Sequence, residues 1–87
     1  MLLQQARAVP NLVNGETMGF KLVEIQSGSV FEDLGLQKED VIQSVNGTPL
    51  RSPEDALSAY RQLRTEKSFQ VALMRNGRPV TLNLSVQ

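Results

Sequence analysis

The stretch Glu16-Thr17-Met18-Gly19-Phe20-Lys21-Leu22-Val23-Glu24-Ile25 decides how this chain is read. It begins as a turn, passes a glycine set between Met18 and Phe20, and continues as a strand over Phe20 to Ile25. Glycine lets the backbone bend where a Cβ would clash, so successive amide N–H groups of Met18-Gly19-Phe20 can converge on one anionic oxygen. The strand behind it offers its backbone to an extended peptide. An apolar-Gly-apolar triplet also opens many ordinary strands, so its meaning comes from what surrounds it.

Upstream, Asn14-Gly15 is a tight-turn signal. Val9 to Val13 reads as a short strand, which Pro10 confines to an edge or an initiating position. Met1 to Ala8 reads as a helical tail or linker with Leu2, Leu3 and Ala6 on one side, too short to hold without packing.

Downstream, Gln26-Ser27-Gly28 ends the strand, and Ser29 with Glu32 has capping-box spacing for a short helix that Gly35 stops. After the polar turn Gln37 to Asp40, Val41 to Val45 is a buried strand closed by Asn46-Gly47. Ser52-Pro53-Glu54-Asp55 is the best helix start in the chain: a serine cap, a proline where no N–H is needed, and two acids at the positive end of the dipole. Ala56, Leu57, Tyr60 and Leu63 follow at helical spacing. Phe69, Val71 and Leu73 alternate with polar or small residues, Asn76-Gly77 turns, and Val80, Leu82, Leu84 and Val86 alternate on the return. The expected fold class is α+β: a small, partly open β-barrel or sandwich of five to six strands, capped by one short and one longer helix.

Composition narrows the function. Eighty-seven residues make one domain, 40% apolar and 21% charged, with zero net charge. No basic patch favours nucleic acid, and no apolar run in this chain is long enough for a membrane span. Cysteine and histidine are both absent, which removes thiolate and imidazole ligands, the usual general base and the thiol nucleophile. Ser27, Ser29 and Ser52 have no histidine to activate them, and the acid pairs Glu39-Asp40 and Glu54-Asp55 stand at a turn and a helix start, where acids are solvated or capping. No phosphate-loop, dinucleotide or calcium-loop spacing is present. The expectation is a chain that is not an enzyme, with no cofactor and no metal.

Taken in order, Gly19-Phe20-Lys21-Leu22-Val23, Ser27-Gly28-Ser29, Leu34-Gly35-Leu36, Glu39-Asp40-Val41-Ile42, Val45-Asn46-Gly47 and the Ser52 to Leu63 helix resemble a PDZ domain of the bacterial type. The resemblance covers roughly residues 9 to 86 and divides the chain into a tail, 1–8, and a PDZ domain, 9–87. Within that family the chain is most similar to the PDZ domain of the inner-membrane C component of type II secretion systems. Val30-Phe31-Glu32-Asp33-Leu34-Gly35-Leu36, the Asn14-Gly15 hairpin, and Ala56-Leu57 through Leu63-Arg64 carry that similarity. It implies a non-catalytic interaction module on the periplasmic face of a bacterial inner membrane, within a longer, membrane-anchored parent. Its partner would be an exoprotein or secretin segment, bound by strand addition. The alternative is the substrate-sensing regulatory PDZ domain of a periplasmic serine protease.

The resemblance also implies a peptide-binding site. Met18, Gly19 and Phe20 would form the carboxylate loop, Lys21, Leu22 and Val23 the strand that takes the peptide, and Pro53, Leu57 and Tyr60 the facing side of the helix. Leu57 and Tyr60 serve equally well as core residues. Two departures bear on this site. Glu16 stands in a neighbourhood where the family often has a base, and would repel a carboxylate. Pro53 replaces a histidine that often bonds the ligand, and offers neither donor nor acceptor. Both argue against tight capture of a C-terminal carboxylate and for an internal or apolar segment, or a folded partner.

Overall fold

Three Asn-Gly pairs set the sheet. Asn14-Gly15, Asn46-Gly47 and Asn76-Gly77 have positive φ at both residues, 53° and 81°, 51° and 82°, 54° and 76°. That turn geometry matches the twist of paired antiparallel strands, and Asn followed by Gly adopts it at little cost. The turns join β1 (Ala6–Val13) to β2 (Glu16–Ile25), β3 (Val41–Val45) to β4 (Thr48–Pro49), and β5 (Ser68–Arg75) to β6 (Arg78–Ser85). Helix α1 (Val30–Asp33) lies between β2 and β3, and α2 (Pro53–Thr65) between β4 and β5. The computed structural model describes residues 6–85, with the side chains of Val30, Leu63 and Arg64 set aside.

The architecture is the expected α+β one: six strands form one antiparallel sheet in the order β1-β2-β3-β5-β6, with β4 on β3. Prolines mark its margins. Pro10 and Pro79 lie in the two end strands, and Pro49 in β4, which pairs only with β3. A residue with no N–H to donate is tolerated in such strands and not in the middle of a sheet.

Both helices are capped as the sequence predicts. Ser52 Oγ accepts the Asp55 N–H at 3.2 Å, and Asp55 Oδ2 accepts the Arg51 N–H at 3.0 Å. At α1, Ser29 Oγ accepts the Glu32 N–H at 3.3 Å, while Glu32 Oε1 reaches back to the Gly28 N–H at 3.1 Å, one residue further than expected. Gly35, at φ 94°, ends α1. The Leu36 N–H bonds the Phe31 carbonyl and the Gly35 N–H bonds that of Glu32, a left-handed glycine cap with buried Phe31 and Leu36 alongside it.

Two boundaries differ from expectation. Residues 6–8 are strand, not helix: Ala6 and Ala8 are buried with Arg7 exposed between them, and Ala8 lies opposite Leu22. Packing on the sheet outweighs the helical preference of alanine. The rest of the expected helical tail, residues 1–5, and Val86 lie outside the described residues. Strand β2 starts at Glu16, not Phe20, because Thr17 and Glu16 pair with Leu12 and Val13. The core gathers Phe20 and Leu22 of β2, Phe31 and Leu36 around α1, and Phe69, Val71 and Leu73 of β5. Ala56, Ala59 and Tyr60 of α2 pack against it.

Candidate functional site

Gly19 holds the middle of β2, and its surroundings define what that strand can do. Its φ is 87°, and a Cβ there would stand 2.6 Å from the Ile42 carbonyl oxygen. Its N–H donates to the Leu50 carbonyl at 3.0 Å. The glycine therefore serves a close approach of β2 to β3 and β4, and its amide is already bonded.

The neighbouring pairings are also occupied over Phe20 to Leu22. Phe20 and Lys21 face Pro10 and Val9 of β1 on one side, and Ile42 and Val41 of β3 on the other. Leu22 exchanges bonds with the segment before β3, donating to the Asp40 carbonyl at 2.8 Å and accepting the Glu39 N–H at 2.7 Å. Strand β2 is an inner strand, covered on both flanks over Phe20 to Leu22. Local pattern could not show this, because sheet order depends on pairing between distant segments. Among the described residues, the strand with a neighbour on one side only at this end of the sheet is β1.

A cavity of about 80 Å³ lies between the sheet and α2. Ala8 of β1, Phe20 and Leu22 of β2, Phe31 beside α1, and Ala56, Ala59 and Tyr60 of α2 line it, with further apolar side chains from β3, β5 and β6. Phe31 and Tyr60 stack with ring centroids 6.3 Å apart and planes 15° from parallel, forming an aromatic wall. An apolar cavity of this kind suits hydrocarbon better than water, which needs polar partners.

The expected site residues separate into distinct groups. Phe20, Leu22 and Tyr60 line the cavity. Leu57, 41% exposed, and Pro53 lie on the outer side of α2, and Met18 is exposed near the β1–β2 turn. Val23 is half-buried. Lys21 Nζ pairs with Glu39 Oε2 at 2.8 Å, and that hydrogen bond, with the lysine charge, holds the Glu39 carboxyl below its ordinary range. Ala8, Phe31, Ala56 and Ala59 were not expected in the site. The signal of the three alanines is one of size: they leave space that larger side chains would fill.

One ionic feature lies apart from the cavity. Asp40 is 1% exposed and accepts Arg75 Nε at 3.0 Å, Arg75 Nη2 at 2.8 Å and the Gln37 N–H at 2.9 Å. Arg75 Nη2 also donates to the Gly35 carbonyl at 2.9 Å. The Asp40 hydrogen bond raises the guanidinium pKa above its ordinary value. Every group in this fork bonds within the fold, which makes it a clasp between β5 and the α1–β3 segment. Among the described residues no cluster of three or more metal-ligating side chains occurs, and no helix is long and apolar enough to cross a membrane.

The PDZ domain family matches residues 5–86. A probable periplasmic DegP-like serine endoprotease of Rhizobium meliloti is 35% identical over 71 residues, which cover 82% of this chain and 14% of that protein. Type II secretion system protein C of Aeromonas salmonicida is 31% identical over 68 residues, 78% of this chain and 23% of that protein. The chain thus spans less than a quarter of either relative. Among solved structures, the PDZ domain of the pullulanase C protein of the Klebsiella pneumoniae type II secretion system, in complex with fatty acid, superposes with a TM-score of 0.68 at 25% identity. That superposition covers 97% of this chain and 87% of the other. Matched over nearly its whole length and sharing the frame of such domains, the chain belongs to the PDZ domain family.

Proposed function

We propose that this domain is a non-catalytic interaction module of a type II secretion apparatus. It works on the periplasmic face of the inner membrane within a longer, membrane-anchored parent, and takes an exoprotein or secretin segment as an added strand. The observation that carries this reading is the coincidence of an end strand, β1, with the apolar cavity under α2. The backbone of β1 supplies a ladder for the incoming segment, and the cavity accepts one apolar side chain from it. Phe20, Leu22 and Tyr60 act from the cavity wall, and Leu57 and Pro53 act from the exposed side of α2. Met18, Gly19, Lys21 and Val23 support the site from β2. The likeness to the secretion proteins of Aeromonas and Klebsiella supports the assignment.

The 35% identity to the Rhizobium endoprotease favours a second reading, a regulatory PDZ domain that presents substrates to a protease. One experiment separates the two. Deleting the parent gene in its source bacterium should retain exoproteins in the periplasm, and the Leu57→Glu variant should reproduce that retention with the domain folded. Normal secretion with accumulation of misfolded periplasmic protein would overturn the first reading in favour of the second.

The cavity supports a further ligand class. Tyr60 alone among its lining side chains carries a polar atom, and the related Klebsiella domain was solved with fatty acid. On this reading the cavity also admits the end of an acyl chain, by transfer of methylene groups out of water. Chemical-shift changes at Ala8, Ala56 and Ala59 on adding decanoic acid would test it. Shifts confined to the exposed surface would overturn it.

A further inference from the structure

We infer that an acyl chain and a partner strand exclude one another, so that free lipid regulates the groove; this rests on the ligand readings proposed above. The reason is space. The cavity holds about 80 Å³, near half the volume of an engineered cavity of about 150 Å³ that admits one benzene ring. It has room for one hydrocarbon end, whether of a lipid or of a single side chain, and not for both. Its boundaries are also those of the groove. Ala8 belongs to the end strand, and Ala56, Ala59 and Tyr60 belong to the helix that faces the cavity. A chain lodged among them occupies the place an added strand needs for its inward side chain.

The surroundings cannot yield enough to take both. Phe31 and Tyr60 are stacked, and Leu22 and Phe20 are buried in the inner strand with backbone bonds on both flanks. Packed walls of this kind do not expand by a methylene without strain elsewhere. Competition follows from geometry alone, with no second conformation of the domain. A lipid-derived chain would hold the groove closed until a partner displaced it.

The experiment uses the 87-residue chain and two probes. One is a labelled peptide selected by phage display against the lipid-free chain. The others are hexanoic, octanoic and decanoic acids, kept below their micelle concentrations. The three fatty acids should raise the apparent Kd of the peptide to similar extents, because a few methylenes fill about 80 Å³ and each of these chains is longer than that. Each buried methylene should add about fourfold to lipid affinity until the cavity is full, and nothing beyond that. Ala59→Leu and Ala56→Leu should each abolish lipid binding. If neither variant folds, the wild-type length series carries the test. An unchanged peptide Kd with decanoic acid bound would overturn the inference and leave the groove reading standing. Absence of fatty-acid binding would overturn it as well. Failure to select any peptide would overturn the groove reading and the inference together.

Discussion

At the scale of single residues, Gly19 and Gly28 separate two costs that a glycine can conceal. Both have positive φ, 87° and 77°, but a Cβ at Gly19 would meet the Ile42 carbonyl at 2.6 Å, whereas nothing lies within 4 Å of one at Gly28. Gly28→Ala should therefore lose about 1 kcal/mol, the backbone strain alone. Gly19→Ala should lose about 3 kcal/mol or more, because β2 must also move off β3. Urea unfolding of the two variants checks this, and equal losses would show that the close approach does not matter. Lys21 gives a different kind of expectation. Its bond depresses the Glu39 carboxyl, so this pair contributes stability above the unfolded carboxyl pKa and loses it as pH falls through the folded one. Lys21→Gln should raise the Glu39 titration midpoint, followed by NMR. Tm at neutral pH should fall only slightly, since both side chains are solvent-screened.

Between elements, the Asp40–Arg75 fork is the strongest polar connection across the chain. Asp40 is buried, and removing either partner strands a charge or a donor beside Gly35 and Gln37. Arg75→Met, which leaves the buried Asp40 carboxylate unpaired, should cost about 3–5 kcal/mol in chemical denaturation, and Asp40→Ala, which leaves an accessible guanidinium, should cost less. The double variant should cost less than their sum. The guanidinium pKa is raised, so its contribution is complete below the unfolded value and fades only at extreme alkaline pH; Arg75 adds no pH dependence near neutrality. The sequence displayed the turns and helix caps, because Asn14-Gly15, Asn76-Gly77, Ser29 and Ser52 act on neighbours within a few residues. It concealed this fork, whose members are 35 positions apart. It concealed the flanks of β2 for the same reason: the segments that cover Phe20 come from β1 and β3, and no local period reports them.

For the molecule as a whole, the proposed binding role of the cavity sets a cost in stability. Phe20, Leu22 and Tyr60, which the family resemblance placed in the expected site, line the cavity, but the space they enclose depends on alanines, and a missing side chain leaves no apolar signal to read. Leaving about 80 Å³ empty costs about 2 kcal/mol at the usual price per unit of cavity volume. Ala59→Leu offers carbon to fill it from α2, where Ala59 already lines the space. If the new side chain fits, unfolding should require up to about 2 kcal/mol more free energy. Such a variant should be more stable and unable to bind, a pattern found where function needs an imperfect core. Urea denaturation and peptide titration on the same preparation measure both halves. A variant that gains stability and keeps full peptide affinity would show that partner binding does not use the cavity, and would move the site to the exposed row of Pro53 and Leu57 on α2. A variant that loses stability would show the walls too rigid to accept three further carbons, which limits the occupant to something smaller than a leucine side chain.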